Sequence, residues 1–157
     1  MDTNFDIATA ISTVPLFFDL SPTQLEKIIR ISDLVEVDPS DQPIHEGSRL
    51  DFLYIILEGE VRIDVFVPTR GLVETHKLGP LDILGWSAMT PIVRQRIGTT
   101  TALTHCWLLR IDAKLLSSIC EKDHSIGYII YHRIVNMAAL SFLSTRLQLM
   151  NMIAESL

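Results

Sequence analysis

Residues that can bind an anion stand close together in the second half of this 157-residue chain. Ser87 and Ala88 are small, so backbone amides at the start of a short helix there could approach an anionic oxygen closely. Arg96 follows, just before Gly98. A guanidinium in a partly enclosed pocket is well suited to a phosphate, because its fork of N–H donors matches the oxygens. The alternative interpretation of Arg96 is an ordinary surface arginine on a loop.

Other reactive residue types lack the spacing that catalysis or metal binding requires. Cys106 and Cys120 do not have metal-ligand spacing, and we expect both to be reduced, buried thiols. His45 and Glu46 are adjacent, but no second histidine stands two residues away, so a jelly-roll metalloenzyme is only a weak third hypothesis. The chain has no nucleophile elbow, Walker loop or paired carboxylates beside a cleft. The sequence predicts a non-enzyme without a cofactor.

The composition predicts a single folded domain in the cytoplasm. Hydrophobic residues make up 48% of the chain and charged residues 20%, which suffices for a core. The net charge is −6 and there is no basic tract, so we expect no direct contact with nucleic acid. The amino terminus lacks the basic segment of a secretory signal. Ile134–Thr145 lies between Arg133 and Arg146 and is too short for a membrane span, so none is predicted.

The elements that must position these residues follow from periodicity and capping. Ser21 and Pro22 are typical of a helix start, which predicts a helix from Pro22 to about Ile31. The segment from Leu34 to Ile111 contains short β-type runs separated by Gly, Pro or Asp, which indicate a small sandwich or barrel. These runs are Leu34–Val37, Phe52–Leu57, Val61–Val67, Val73–Leu78 and Thr100–Ile111.

Helical periodicity returns after Asp112 and continues to the end of the chain. We predict a short helix capped by Asp112 and a long helix from about Ser125 to Ala154. In its first half, Ile126, Ile130, Ile134 and Met137 are expected to pack on the strands. In its second half, a heptad seam predicts a homodimer through this helix, with packing on its own barrel as the alternative. The seam residues are Leu140, Leu143, Leu147, Met150 and Ala154.

Three stretches, Ile44–Gly47, Leu53–Ile63 and Leu78–Gly85, resemble the cyclic nucleotide-binding domain family. The resemblance covers about Val14 to Met150. Glycines 47, 59, 79 and 85 fall at expected strand ends, where turns require a positive φ or close backbone approach. The implied fold class is α+β, mainly β: a double-stranded β-helix, or jelly-roll-like β-roll, flanked by N-terminal helices and a long C-terminal helix. Residues 1–157 then form one domain, with N-terminal helices over 1–31, the roll over 32–111 and C-terminal helices over 112–157.

The resemblance places the ligand in a phosphate-binding cassette at residues 85–99. The implied ligand-binding residues are Gly85, Trp86, Ser87, Ala88, Met89, Arg96, Ile97, Gly98 and Thr99. Arg96 matches the arginine that pairs with the cyclic phosphate. Trp86 replaces the family's glutamate, which accepts a hydrogen bond from the ribose, and an indole can only donate. Trp86 therefore either lines a modified site or fills the pocket and abolishes nucleotide binding.

The resemblance implies a non-catalytic sensor of cyclic AMP, cyclic GMP or a related phosphate ligand that signals through its C-terminal helix. Met137, Ala138 and Ser141 are the helix residues expected to reach the base. Transcription factors of this family carry a helix-turn-helix after the long helix, and this sequence ends at Leu157, so we expect a free-standing sensor or a fragment. The alternative function is a ligand-free structural dimerisation module of the same fold.

Overall fold

Two antiparallel β-sheets form the centre of the structure, a computed structural model that describes residues 6–93, 95–96 and 98–156. The strand order is β1-β7-β2-β5 in one sheet and β4-β3-β6 in the other. The strands are β1 (Ser32–Val37), β2 (Phe52–Glu58), β3 (Val61–Val67), β4 (Gly71–Leu78), β5 (Ile83–Leu84), β6 (Thr99–Ala102) and β7 (Cys106–Asp112). This architecture, with helices before and after the strands, confirms the predicted β-roll.

Strands β2 and β7 are buried on both faces and separate two hydrophobic clusters. Leu53 and Ile55 of β2 join a cluster built with the helices, whereas Tyr54 and Ile56 join the cluster inside the roll. Because neighbouring side chains of a strand point to opposite faces, a doubly buried strand is apolar at nearly every position. This is why Phe52–Leu57 is an unbroken hydrophobic run rather than an alternating one.

Of the N-terminal helices, α2 begins at the predicted signal, Ser21 and Pro22. α1 (Ile7–Thr13) is followed by a 3₁₀ turn (Pro15–Phe17) and α2 (Pro22–Ile29). The Ser21 hydroxyl accepts from the Gln24 amide, and the Gln24 side chain accepts from the Ser21 amide, which completes a capping box. α2 ends at Ile29, two residues before the predicted end.

The two C-terminal helices also match the prediction. α3 (Ala113–Lys122) is capped by Asp112, whose carboxylate accepts from the Leu115 amide at 2.8 Å. α4 (His124–Glu155) buries Ile126, Ile130 and Ile134 as expected. Its distal half exposes the heptad residues Leu140, Leu143, Leu147 and Met150.

By length and composition alone, α4 is also long and apolar enough to cross a membrane. The sequence prediction counted only uninterrupted stretches and did not find it. A single such helix is weak evidence, because a core helix of a soluble protein meets the same criterion. The isoleucines of its proximal half belong to the cluster shared with the roll, and 22% of the apolar window is buried.

Three details differ from the sequence predictions. The run Thr100–Ile111 is not one strand, because a turn at 103–105 divides it between β6 and β7, which lie in different sheets. The short strand β5 carries too few residues for a periodic signal. Gly79 was wrongly assigned a special backbone, since it has no positive φ and an added Cβ would meet nothing within 4 Å.

Both cysteines are free and buried, as predicted. Burial raises the pKa of the Cys106 thiol and raises that of Cys120 to about 11. Thiols held in the neutral form are poor nucleophiles, which agrees with a structural role for both residues.

Candidate functional site

A cavity of about 440 Å³ lies between the β-roll and α4. The roll supplies most of its wall, the cassette after β5 supplies one side, and α4 covers the other. The lining residues are Ile44, Ile63, His76, Leu78, Asp82, Ile83, Leu84, Gly85, Trp86, Ser87, Val93, Arg96, Gly98, Thr100, Met137, Leu140, Ser141 and Ser144. A concave, largely apolar cavity with a few polar groups is typical of a small-molecule site.

Arg96 is the buried cation of this cavity, with 7% of its surface exposed. Its Nη2 donates to the carbonyl oxygen of Phe52 at 2.6 Å, and its Cζ lies 5.8 Å from the centre of the Tyr54 ring. Across the described part of the chain, no carboxylate lies within ion-pair distance of it. Burial lowers the pKa of the guanidinium, although arginine remains charged at neutral pH. The interpretation of Arg96 as an ordinary surface arginine is wrong.

The backbone around Arg96 is held by the segment that precedes β2. The Arg96 amide donates to the Ser48 carbonyl at 2.9 Å, and the Gly47 amide donates to the Arg96 carbonyl at 2.9 Å. The Thr100 amide donates to the Ile44 carbonyl at 2.9 Å and continues this pairing into β6. These bonds fix the direction in which the arginine enters the cavity.

Gly85 makes room for the guanidinium. Its φ is +73°, in the left-handed region that favours glycine. A Cβ added there would lie 1.9 Å from Nη1 of Arg96 and 2.9 Å from the Phe52 carbonyl oxygen. Gly85 is also the N-cap of a short 3₁₀ helix, Trp86–Met89, whose Ala88 amide donates to the Gly85 carbonyl at 2.9 Å.

The structure brings most of the predicted cassette residues to the cavity. Gly85, Trp86, Ser87, Arg96 and Gly98 line it.

Three other members of the predicted set, Ala88, Met89 and Thr99, lie elsewhere. Met89 is buried in the core with Ala88 packed against that cluster, and the Thr99 hydroxyl accepts from the Glu46 amide at 3.0 Å. Ile97 lies outside the residues that the structure describes.

The face of α4 predicted to reach the ligand is nearly the face that lines the cavity. Met137 and Ser141 line the cavity, and Leu140 and Ser144 line it in place of Ala138. Residues three and four apart share a helix face, so extending the Met137–Ser141 face by one turn would have found Ser144. His76 and Asp82, which sequence reasoning missed, enter the wall from β4 and from the turn before β5.

One hydrogen bond joins the distal half of α4 to the roll beside the cavity. Gln148 Nε2 donates to the carbonyl oxygen of Thr75 in β4 at 2.9 Å. Leu140, Ser141 and Ser144 lie one to two turns earlier on the helix and form the cover of the cavity. A molecule in the cavity would therefore touch the roll, the cassette and α4 together.

The third hypothesis, a jelly-roll metal site, has no support in the described residues. Among them, no group of three or more His, Cys, Asp or Glu side chains is placed to hold a metal ion. Glu46, one of its two candidate ligands, instead accepts a hydrogen bond from the Phe66 amide at 3.0 Å.

The family model described as the cyclic nucleotide-binding domain matches residues 34–123, which is more than half of the chain. The chain therefore belongs to the cyclic nucleotide-binding domain family. Comparison with curated proteins finds no match.

Solved structures share the fold. A cyclic nucleotide-binding domain from Methylobacillus flagellatus has a TM-score of 0.78 and 19% identity, over 92% of this chain and 81% of that one. The catabolite activator protein of Thermus thermophilus has a TM-score of 0.71 and 17% identity, over 88% and 62%. The regulatory subunit of a cAMP-independent protein kinase A from Trypanosoma brucei has a TM-score of 0.71 and 16% identity, over 83% and 45%.

Proposed function

We propose that this protein is a non-catalytic, cytoplasmic sensor domain that binds a small organic anion at Arg96 and signals through α4. The observation that carries the proposal is the buried guanidinium, 7% exposed, on the wall of a cavity and with no carboxylate of the described residues within ion-pair distance. Asp51 acts on its charge only from farther away. A buried charge is costly unless it is paired, so a ligand that supplies the negative charge stabilises the site.

Cyclic AMP, cyclic GMP and related phosphate esters are the first ligands to test. Membership of the family and the position of Arg96 support the phosphate half of such a ligand, with Ser87 beside it in the cavity wall. The relative from Trypanosoma brucei is described as cAMP-independent, so the fold also serves proteins that do not depend on that nucleotide. Its example supports testing phosphate esters beyond the two nucleotides.

The signal would leave through α4. Met137, Leu140, Ser141 and Ser144 line the cavity, and Gln148 donates to the Thr75 carbonyl of the roll farther along α4. In this proposal α4 has two positions relative to the roll. A ligand that contacts both the roll and α4 binds one of these positions more tightly and so shifts the population toward it.

We include homodimerisation through the distal half of α4 in this proposal. Leu143 and Leu147 of the heptad seam are 51% and 52% exposed, and a leucine seam of this kind is stable in water only when another helix covers it. The same seam supports the alternative function, a dimerisation module that binds no ligand.

A binding experiment separates the sensor from the module. Thermal shift and calorimetry with cyclic AMP, cyclic GMP and simple phosphate monoesters should reveal at least one ligand that stabilises the protein. Arg96→Gln should weaken that ligand roughly 10- to 150-fold, because a charge-assisted hydrogen bond contributes about 1.5–3 kcal/mol.

The matched control is Arg49→Gln. It removes an arginine next to the same backbone segment, but the Arg49 side chain is 87% exposed and pairs with Asp51. Affinity should be unchanged in this variant. Without Arg96-dependent binding of any of these anions, the sensor proposal is wrong and the dimerisation module stands.

A further inference from the structure

The cavity beside Arg96 is hydrophobic over most of its wall. Half of the residues that line it are Ile, Leu, Val, Met or Trp. Ile63 and Leu78 come from the roll, Trp86 from the cassette, and Met137 and Leu140 from α4. Apolar groups therefore face the cavity from three directions, and burying an apolar ligand surface against them is favourable.

The same cavity is poor in acceptors for sugar hydroxyls. Trp86 stands where the family has a glutamate, and its indole cannot accept a hydrogen bond. Of the described residues that line the cavity, Asp82 alone carries a carboxylate. That carboxylate accepts from the Gly79 amide at 2.9 Å and so holds the turn before β5. The His76 imidazole, which has a ring nitrogen that can accept, and the hydroxyls of Ser87, Thr100, Ser141 and Ser144 remain as weaker partners than a carboxylate.

The charge in the cavity is concentrated at Arg96, which is fixed by Phe52, Tyr54 and Gly85. A ligand that matches this wall has one anionic group and a hydrophobic body. The body of a ribonucleotide would instead bring its ribose hydroxyl to the indole of Trp86, where the hydroxyl loses its water without gaining an acceptor.

We propose that the ligand is an amphipathic organic anion, with a phosphate or carboxylate group at Arg96 and an alkyl or aryl body against Trp86, Leu78 and Leu140. This inference rests on the proposed function, because it assumes that Arg96 binds an anion in this cavity. Trp86 is then the residue that determines specificity: it turns a nucleotide pocket into one for apolar acids and esters.

The test compares ligands that share a head group and differ in the body. Octyl phosphate and ribose 5-phosphate both carry a phosphate monoester, octanoate exchanges the phosphate for a carboxylate, and cyclic AMP represents the nucleotides. Trp107→Phe leaves Trp86 as the one tryptophan, so its fluorescence reports on the cavity. Octyl phosphate, used below its micelle concentration, should bind at least tenfold more tightly than ribose 5-phosphate and cyclic AMP.

Trp86→Glu should reverse this preference. Calorimetry should show weaker binding of octyl phosphate and tighter binding of cyclic AMP, because a carboxylate replaces an apolar surface with an acceptor. Arg96→Gln should weaken octyl phosphate and octanoate alike, and Arg49→Gln should weaken neither. Arg96→Met, which also removes the charge but leaves no unpaired polar group in the cavity wall, replaces Arg96→Gln where the latter does not fold.

Two results would overturn the inference while the sensor proposal stands. One is cyclic AMP binding as tightly as octyl phosphate in the wild type. The other is octyl phosphate binding independently of Arg96, for instance to the exposed side of α4, while a polar phosphate ester depends on Arg96. If no anion binds in an Arg96-dependent manner, the inference and the proposed function fail together.

Discussion

Gly85 has two roles: it allows a left-handed backbone conformation, and it leaves space for the Arg96 guanidinium. The left-handed φ of +73° disfavours any side chain, and a Cβ would also overlap the Arg96 guanidinium at 1.9 Å. We expect Gly85→Ala to lower the free energy of unfolding by more than the roughly 1–2 kcal/mol typical of an L residue in this region. It should also weaken anion binding, since the guanidinium must move. Urea unfolding and a ligand titration measure the two effects.

Gly71→Ala separates backbone strain from displacement of the arginine. Gly71 has a similar φ of +77°, but an added Cβ would meet nothing within 4 Å. This variant should lose stability through strain alone and bind anions normally. If Gly85→Ala and Gly71→Ala lowered stability equally and both bound anions normally, Gly85 would not be needed to make room for the Arg96 guanidinium.

Residue types identified Arg96, but not the groups that hold it. Arginine is the side chain that anion chemistry demands, so the sequence and the family resemblance both pointed to it. Its partner is a backbone carbonyl, Phe52 O, 44 residues away. Every residue has a carbonyl, so no sequence pattern marks that partner. The resemblance implied that Trp86 replaces the family's glutamate, but the sequence could not predict whether Trp86 fills the cavity or lines it.

Among the elements, α4 begins at a half-buried cap, Asp123, that also ties it to α2. The Asp123 carboxylate accepts from the Ser125 hydroxyl and from the amides of Ser125 and Ile126, and lies 3.3 Å from Nζ of Lys27. The Ser125 hydroxyl, the Ile126 amide, Gln24 and Lys27 hold the pKa of Asp123 well below its usual range. The carboxylate therefore stabilises the fold above its unfolded pKa of about 3.9, and that contribution is lost as the pH falls toward the lower folded pKa.

Asp123→Asn tests this cap. The amide still caps a helix but carries no charge, so the variant should unfold at a lower urea concentration than the wild type near neutral pH. The difference should shrink as the pH falls below about 4. Asp41→Asn, at an exposed loop residue, should show no comparable change with pH. A difference that stays constant with pH would contradict the role of the charge.

Local signals explain which elements the sequence predicted. Ser21 with Pro22, and Asp112, act on amides within three residues, so their helices began where expected. The division of Thr100–Ile111 has no such signal. β6 pairs with β3 in one sheet and β7 pairs with β1 in the other. These pairings depend on long-range contacts, which the hydrophobic pattern of a single run cannot predict.

At the scale of the whole molecule, two apolar faces of distal α4 are candidates for the interface of the proposed homodimer. One face is the heptad seam, which contains Leu143 and Leu147. The other face, called the second row here, is the one that carries Phe142, which is 71% exposed. Leu147 and Phe142 lie about 140° apart around the helix, at 100° per residue. One helix of a dimeric partner covers only one of these faces, so a charge on each face identifies the one in use.

Leu147→Glu is expected to disrupt the homodimer. A glutamate buried in the seam without a partner costs about 3–5 kcal/mol, which weakens association roughly 150-fold or more. The free energy of unfolding of the monomer should change little, because Leu147 is 52% exposed within one chain. Thr145→Glu adds the same charge on the opposite side of the helix and should leave the dimer intact. Sedimentation equilibrium over a concentration series measures the wild type, these two variants and Phe142→Glu. Dissociation by Phe142→Glu but not by Leu147→Glu would instead place the interface on the second row.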